Sequence, residues 1–246
     1  MKTALITGAG RGIGAATAVR LGGAGYQVIV NYLSNEAAAR AVAAAVESAG
    51  GKARIVRADV REPDEAAELV AACPRLDALV CNANIQPTFA PLSETSWAVF
   101  REKVVGELAA VFHVTQRALE VMREARSGRI VYVSSVIADS TMPGAISHAT
   151  AKAALNTFAR QVAGEAGRYG VAVNTVAPGM VRTEASSGAR TPEREAVYAE
   201  NSVLGRVMEP EDVADLIAAV IDGGFRAVSG AYIPVDGGFQ LLKQGH

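Results

Sequence analysis

The 246-residue sequence predicts a single α/β domain built on a doubly wound parallel sheet, and three observations carry that expectation. The first is an apolar strand, residues 3–6, that runs through Thr7 into Gly8-Ala9-Gly10-Arg11-Gly12-Ile13-Gly14 and then into an alanine-rich helix. The second is a strict alternation of short β-branched runs with helical stretches, about 25 residues per unit, the pattern of parallel strands joined by helical crossovers. The third is composition. Half of the residues are hydrophobic but only 5% are aromatic, which suits helices packed closely on a sheet buried on both faces. No linker divides the chain, and its length supports one large core.

In order, the first strand and turn lead into a helix from Ile13 to about Leu21, whose first turn leaves backbone N–H groups unpaired. Those donors attract an anion, and glycines at 8, 12 and 14 give room for a tight turn, a pyrophosphate and close helix–strand packing. A second strand follows at 27–31, then a helix at 35–49 stopped by Gly50-Gly51, then a third strand at 53–58. Glu62-Pro63-Asp64-Glu65 opens the next helix with acids and proline at the favoured end. A fourth strand covers 78–81, a long helix 97–123, a strand 129–134, a helix 148–168 and a strand 171–176 that Pro178-Gly179 ends. Residues 183–208, with Ser186-Ser187-Gly188 and Thr191-Pro192, read as polar and irregular, a stretch of the kind that serves as a substrate lid. A helix at 210–222 and a strand at 231–235 close the fold.

Twenty-four basic residues against 25 acidic ones give a net charge of −1 with no basic block, so nucleic-acid binding and membrane-surface attraction have no electrostatic support. No uncharged apolar run reaches membrane-spanning length, and the first strand begins too early for a signal peptide. Cys73 and Cys81 form neither a disulfide framework nor a metal-site pattern. A cytoplasmic protein without metal is expected.

Asn31 ends the second strand, where an acid would grip the 2′-hydroxyl of an adenosine ribose. Its neutrality, with Arg11 in the glycine turn and Ser34 nearby, favours NADP(H) over NAD(H). Asp59, after the third strand, reads either as a bracket for adenine or as a helix cap.

Taken together, the Thr7–Gly14 run, Asp59-Val60, Val133-Ser134-Ser135, Lys152, Asn174 with Pro178-Gly179 and Thr183, and Leu204-Gly205-Arg206 through Val235-Asp236-Gly237-Gly238 resemble the short-chain dehydrogenase/reductase family. The likeness is strongest to members that reduce 3-oxoacyl thioesters on a carrier protein. It implies a Rossmann fold in which Ser135 polarises a carbonyl or hydroxyl, Lys152 holds the nicotinamide ribose and Thr183 the carboxamide. The remaining cofactor contacts implied are Thr7, Gly8, Gly10, Arg11, Gly12, Ile13, Gly14, Asn31, Asp59, Val60, Asn82, Ala83, Pro178 and Gly179. A homo-oligomer, dimer or tetramer, assembled through the two long helices, is implied as well, acting on a small-molecule or carrier-bound carbonyl or alcohol.

Three positions depart from the family pattern. The catalytic tyrosine, four residues before Lys152, falls at His148; the asparagine of the long helix falls at Glu107; and Asn84 replaces a glycine beside the cofactor. A nearby lysine pushes an imidazole toward its neutral form, a base rather than an acid. Glu107, if it reaches Lys152 or His148, is expected to cancel that push and restore an imidazolium acid, giving a Ser135–His148–Lys152–Glu107 proton network. The alternatives are redox-neutral chemistry on the same scaffold, favoured by crowding from Asn84, and a cofactor-binding or partner subunit without catalysis.

Overall fold

The structure, a computed structural model, describes every residue except 74, 185, 187–189, 226 and 243–246. Ser187-Gly188 of the expected lid lie outside the described residues. Seven strands form one parallel sheet: β1 (Thr3–Ile6), β2 (Gln27–Tyr32), β3 (Lys52–Arg57), β4 (Ala78–Cys81), β5 (Gly128–Val133), β6 (Val171–Pro178) and β7 (Tyr232–Val235). Their order across the sheet is β3-β2-β1-β4-β5-β6-β7. The direction of winding therefore reverses between β1 and β4, the crevice where open α/β sheets bind ligands.

The helices are α1 (Gly12–Gly23), α2 (Glu36–Ser48), α3 (Pro63–Ala71), α4 (Trp97–Ala125), α5 (Ile146–Ala166), α6 (Pro192–Glu200), α7 (Pro210–Asp222) and α8 (Phe239–Leu242). Side chains alternate across each strand. Ala4 and Ile6 join Ala18, Leu21, Val42 and Ile217 under α1, α2 and α7, while Leu5, between them, joins Leu69, Val114, Met122 and Leu155 under α3, α4 and α5. Each fully buried Leu, Ile, Val or Met among them contributes roughly 1.5–3 kcal/mol by leaving water. The sheet is thus packed on both faces.

The predicted elements recur with small shifts. Helix α5 begins at Ile146, two residues before the expected start, so His148 and Lys152 both lie inside it, one turn apart on the same side. The stretch at 183–208 is not irregular throughout: α6 forms within it, with Pro192 in its first turn and the Thr191 hydroxyl accepting from Arg194 N–H at 3.3 Å. Thr191-Pro192, read as a loop signal, is a helix start. Buried Tyr198 anchors α6, its ring stacked on Phe239 at 4.3 Å and its hydroxyl donating to Asp236 O. Among the described residues, no helix is long and apolar enough to cross a membrane, and no cluster of His, Cys, Asp and Glu could hold a metal ion.

Candidate active site

The glycine turn connects the C-terminal end of β1 to α1. Gly8 and Gly12 take positive φ values of 62° and 54°, in the left-handed region where a side chain is strained. At Gly14 a Cβ would stand 2.5 Å from Asn82 Nδ2 and 2.6 Å from Gly8 O, so only glycine fits. Exposed Arg11 occupies the N-cap place of α1 but caps no first-turn N–H with its side chain. An uncapped helix N-terminus beside a turn with no side chains fits a pyrophosphate. Thr183 lies over this turn, its Cγ2 3.2 Å from where a Cβ on Gly12 would be, and its hydroxyl accepts from Ser186 N–H at 3.2 Å.

Several residues expected at the cofactor instead build the turn that would hold it. Thr7 Oγ1 accepts from the N–H groups of Asn82 and Ala83, both at 3.0 Å, and Asn82 Nδ2 returns bonds to Thr7 O and Gly8 O. The amide of Asn31 is buried: its Oδ1 accepts from Gly8 N–H at 3.1 Å while its Nδ2 donates to Ala58 O at 3.1 Å and Val56 O at 3.3 Å. That side chain spends its amide protons on these carbonyls and braces the glycine turn. Asp59 is not the cap of α3, which is Glu62; its carboxylate is gripped by Arg61 at 2.6–3.1 Å, and that hydrogen bond holds its pKa below the usual range. Val60 beside it is buried. Gly179 gives its N–H to Val235 O, and a Cβ there would strike Tyr198 Oη at 2.1 Å. Gly10 and Ile13 stay within the turn and the first helical residues.

On the other side of the crevice, α4 and α5 bring three charged side chains together out of water. Glu107 is 1% exposed and receives two ammonium groups, Lys152 Nζ on Oε1 and Lys103 Nζ on Oε2, each at 2.5 Å. Ile85 N–H also donates to Oε2, at 3.1 Å. Lys152 adds a bond to Val133 O at 2.9 Å. Lys103 spends its other protons on Asn84 Oδ1 at 2.8 Å and Ile85 O at 2.7 Å. Burial alone would raise the Glu107 carboxyl; the charges of Lys152 and Lys103 outweigh it and hold the group at about 2. Burial takes Lys103 down to about 8 despite Glu107. Two cations and one anion leave this cluster with a surplus positive charge.

His148 does not join it by hydrogen bond. Its Nδ1 is buried without a partner among the described residues, and its ring meets the edge of Phe89 at 6.1 Å between centroids. Burial first, then the charges of Lys152 and Lys103, push its pKa from 6.5 to about 3, with only Glu107 opposing. Glu107 does reach Lys152, but it is shared with Lys103, and burial together with the two lysines outweighs it, so the balance here is toward a neutral imidazole. Ser135 ends the β5 exit, half-buried, with Oγ donating to Pro178 O at 3.4 Å and accepting from Ile137 N–H at 3.3 Å. Hydrogen bonds among the described residues thus link Lys152, Glu107 and Lys103, and do not run through Ser135 or His148.

Residues 8–240 match the family model described as enoyl-(acyl carrier protein) reductase. The chain is 34% identical to 3-oxoacyl-[acyl-carrier-protein] reductase of Synechocystis, over 98% of each chain. It is 36% identical to cis-4-hydroxycyclohexanecarboxylate dehydrogenase of Sinomonas cyclohexanicum, over 98% of this chain and 97% of that one. A short-chain type dehydrogenase/reductase from Mycobacterium ulcerans superposes with a TM-score of 0.92 at 28% identity, covering 98% of this chain and 90% of that chain. The chain belongs to the short-chain dehydrogenase/reductase family. It is an oxidoreductase acting on a carbonyl or an alcohol, in a family that binds NAD(P)(H).

Within this short-chain dehydrogenase/reductase, the residue that sequence reading missed is Lys103. Its signal was present. Lys103 and Glu107 are four apart on a helix, a spacing that places them on one face. Nothing in that spacing says that the face is buried, or that a lysine from α5 meets the same carboxylate. The Asn84 change also reads differently, because its amide oxygen accepts from Lys103.

Proposed function

We propose that this protein is an NADP(H)-dependent oxidoreductase that interconverts a carbonyl and an alcohol on a small or carrier-bound substrate, through an atypical Ser135–His148–Lys152 site with Glu107 behind it. The observation that carries this reading is the Lys152 ammonium, held between Glu107 and Val133 O one helical turn from His148. Bound at the glycine turn, the dinucleotide supplies hydride exchange at nicotinamide C4. The first-turn N–H groups of α1 would hold its pyrophosphate, and Lys152 and Thr183 would hold its nicotinamide end. Neutral, water-facing Leu33 and Ser34 just beyond β2 and the exposed Arg11 support a 2′-phosphate, and Glu36, in the first turn of α2, is engaged by Arg40 at 2.9 Å.

Ser135 is held by only two long hydrogen bonds, so its hydroxyl can turn to a substrate oxygen. His148 is neutral at pH 7, and the burial and lysine charges that keep it so also lower its basicity; in this reading it takes the proton of an alcohol and is not a cationic acid. The surplus cation of the lysine pair stabilises the alkoxide that develops beside it. Oxidation of an alcohol is therefore the direction this site favours. The redox-neutral alternative rested on crowding by Asn84, and that side chain is engaged by Lys103 instead. Assembly as a homo-oligomer through α4 and α5 is part of the proposal, supported by exposed Val105 and Phe112 on α4 and by contact of Phe112 with Phe158 of α5 at 6.2 Å.

Calorimetric titration with NADPH and NADH, followed by turnover on a panel of cyclic and β-hydroxyacyl alcohols with NADP+, tests this. The expected result is tighter binding of NADPH, weakened by Arg11→Ala, with turnover that His148→Ala abolishes while cofactor affinity is kept. Equal turnover in His148→Ala would refute the site, and a preference for NADH would refute the cofactor assignment.

A further inference from the structure

The glutamate–lysine pair that faces the site would be complete without Lys103. Lys152 alone neutralises Glu107, and Ile85 N–H fills a further lone pair. A second buried lysine adds desolvation that the pair does not need, and buried charge of this kind is weak support for stability. What Lys103 adds is geometric. Its three protons go to three acceptors on two segments, Glu107 on its own helix and Asn84 and Ile85 on the chain leaving β4. That chain is the one whose Asn82 and Ala83 brace the glycine turn.

We propose that Lys103 is a positioning residue, which closes a buried Lys103–Glu107–Lys152 run, ties the β4 exit to α4, and leaves this end of the site one positive charge in surplus. The consequence falls on His148. The charged groups that face it are Lys152 from its own helix and Lys103 and Glu107 from α4, while Phe89 covers its ring. Burial is the largest cause of its neutrality, and because Glu107 is already shared, the lysines add to burial instead of being cancelled. Lys103 thereby sets which proton the site can move without touching substrate. The inference rests on the proposed oxidoreductase reading for its kinetic consequence alone.

The test is histidine-ring NMR on protein labelled at histidine Cε1, with the His148 signal identified by its loss in His148→Asn, followed from pH 8 down to pH 4.5. In the wild-type protein the signal is expected to hold its neutral position throughout. In Lys103→Met, which removes a cation, it should begin to titrate at the acid end, and Lys103→Arg should restore wild-type behaviour. A flat signal in folded Lys103→Met overturns the proposal. Should that variant not fold, Lys103→Met/Glu107→Gln keeps one cation and no buried anion: a neutral signal supports the proposal, and titration in this window overturns it. Turnover on the same variants separates the two readings. If His148 follows the cluster charge but no alcohol is oxidised, Lys103 keeps its role and the function fails; if alcohol is oxidised and the signal never responds, the reverse holds.

Discussion

Glu107 serves two lysines at once while almost wholly excluded from water, and this makes it the most consequential single side chain in the chain. Replacing it with Gln leaves two buried ammonium groups facing a neutral amide, and stability should fall by about 3–5 kcal/mol in urea denaturation. The pH dependence has a definite sign. Glu107 titrates at about 2 when folded and near 4.5 when unfolded, so its contribution is complete above pH 4.5 and lost as pH falls toward 2. His148 works in the same direction, since between pH 6.5 and 3 the unfolded chain binds a proton that the folded chain refuses. Acidification from pH 7 to pH 4.5 should therefore lower the urea midpoint, and less so in His148→Asn. The direction of the lysine effect on His148 was legible from the sequence. Its outcome was not, because burial and the second lysine act through space and no spacing encodes them.

At the scale of elements, two helix starts position the site. The α1 turn depends on Gly14, where a methyl group would press on Asn82 and Gly8 O; Gly14→Ala should cost roughly 1–3 kcal/mol and lower NADPH affinity more than tenfold by calorimetry. Helix α4, which carries both Lys103 and Glu107, is capped by Ser96 Oγ accepting from Val99 N–H at 3.3 Å. Ser96→Ala should cost about 1 kcal/mol in thermal unfolding, with turnover nearly unchanged, since the charged pair lies two to three turns further along. Most elements could be read in advance, because parallel strands buried on both faces form unbroken apolar runs and glycines punctuate them. Helix α6 escaped because its surface is polar and its buried contact is one ring, Tyr198, meeting Phe239 from the far end of the chain, while Arg182 and Arg190 hold Glu195 at its surface.

Across the whole molecule, the buried Lys103–Glu107–Lys152 cluster and the glycine turn gather at the end of the sheet where β1 and β4 diverge. Trp97 is 72% exposed, and with Val105 and Phe112 it leaves an apolar stripe on α4. If α4 and α5 form the subunit contact, Phe112→Glu should shift the sedimentation profile toward monomer without loss of the fold. The Asn31 amide has a consequence of another kind, for anyone who wishes to alter which dinucleotide the protein takes. The natural edit, an acid at the end of β2, would set a carboxylate against the carbonyl oxygens of Val56 and Ala58 with Gly8 N–H as its donor. Asn31→Asp should lower the melting temperature by several degrees and loosen the very turn it was meant to adapt. Coenzyme preference in this chain is instead open to change at Leu33 and Ser34, which face water just beyond the strand.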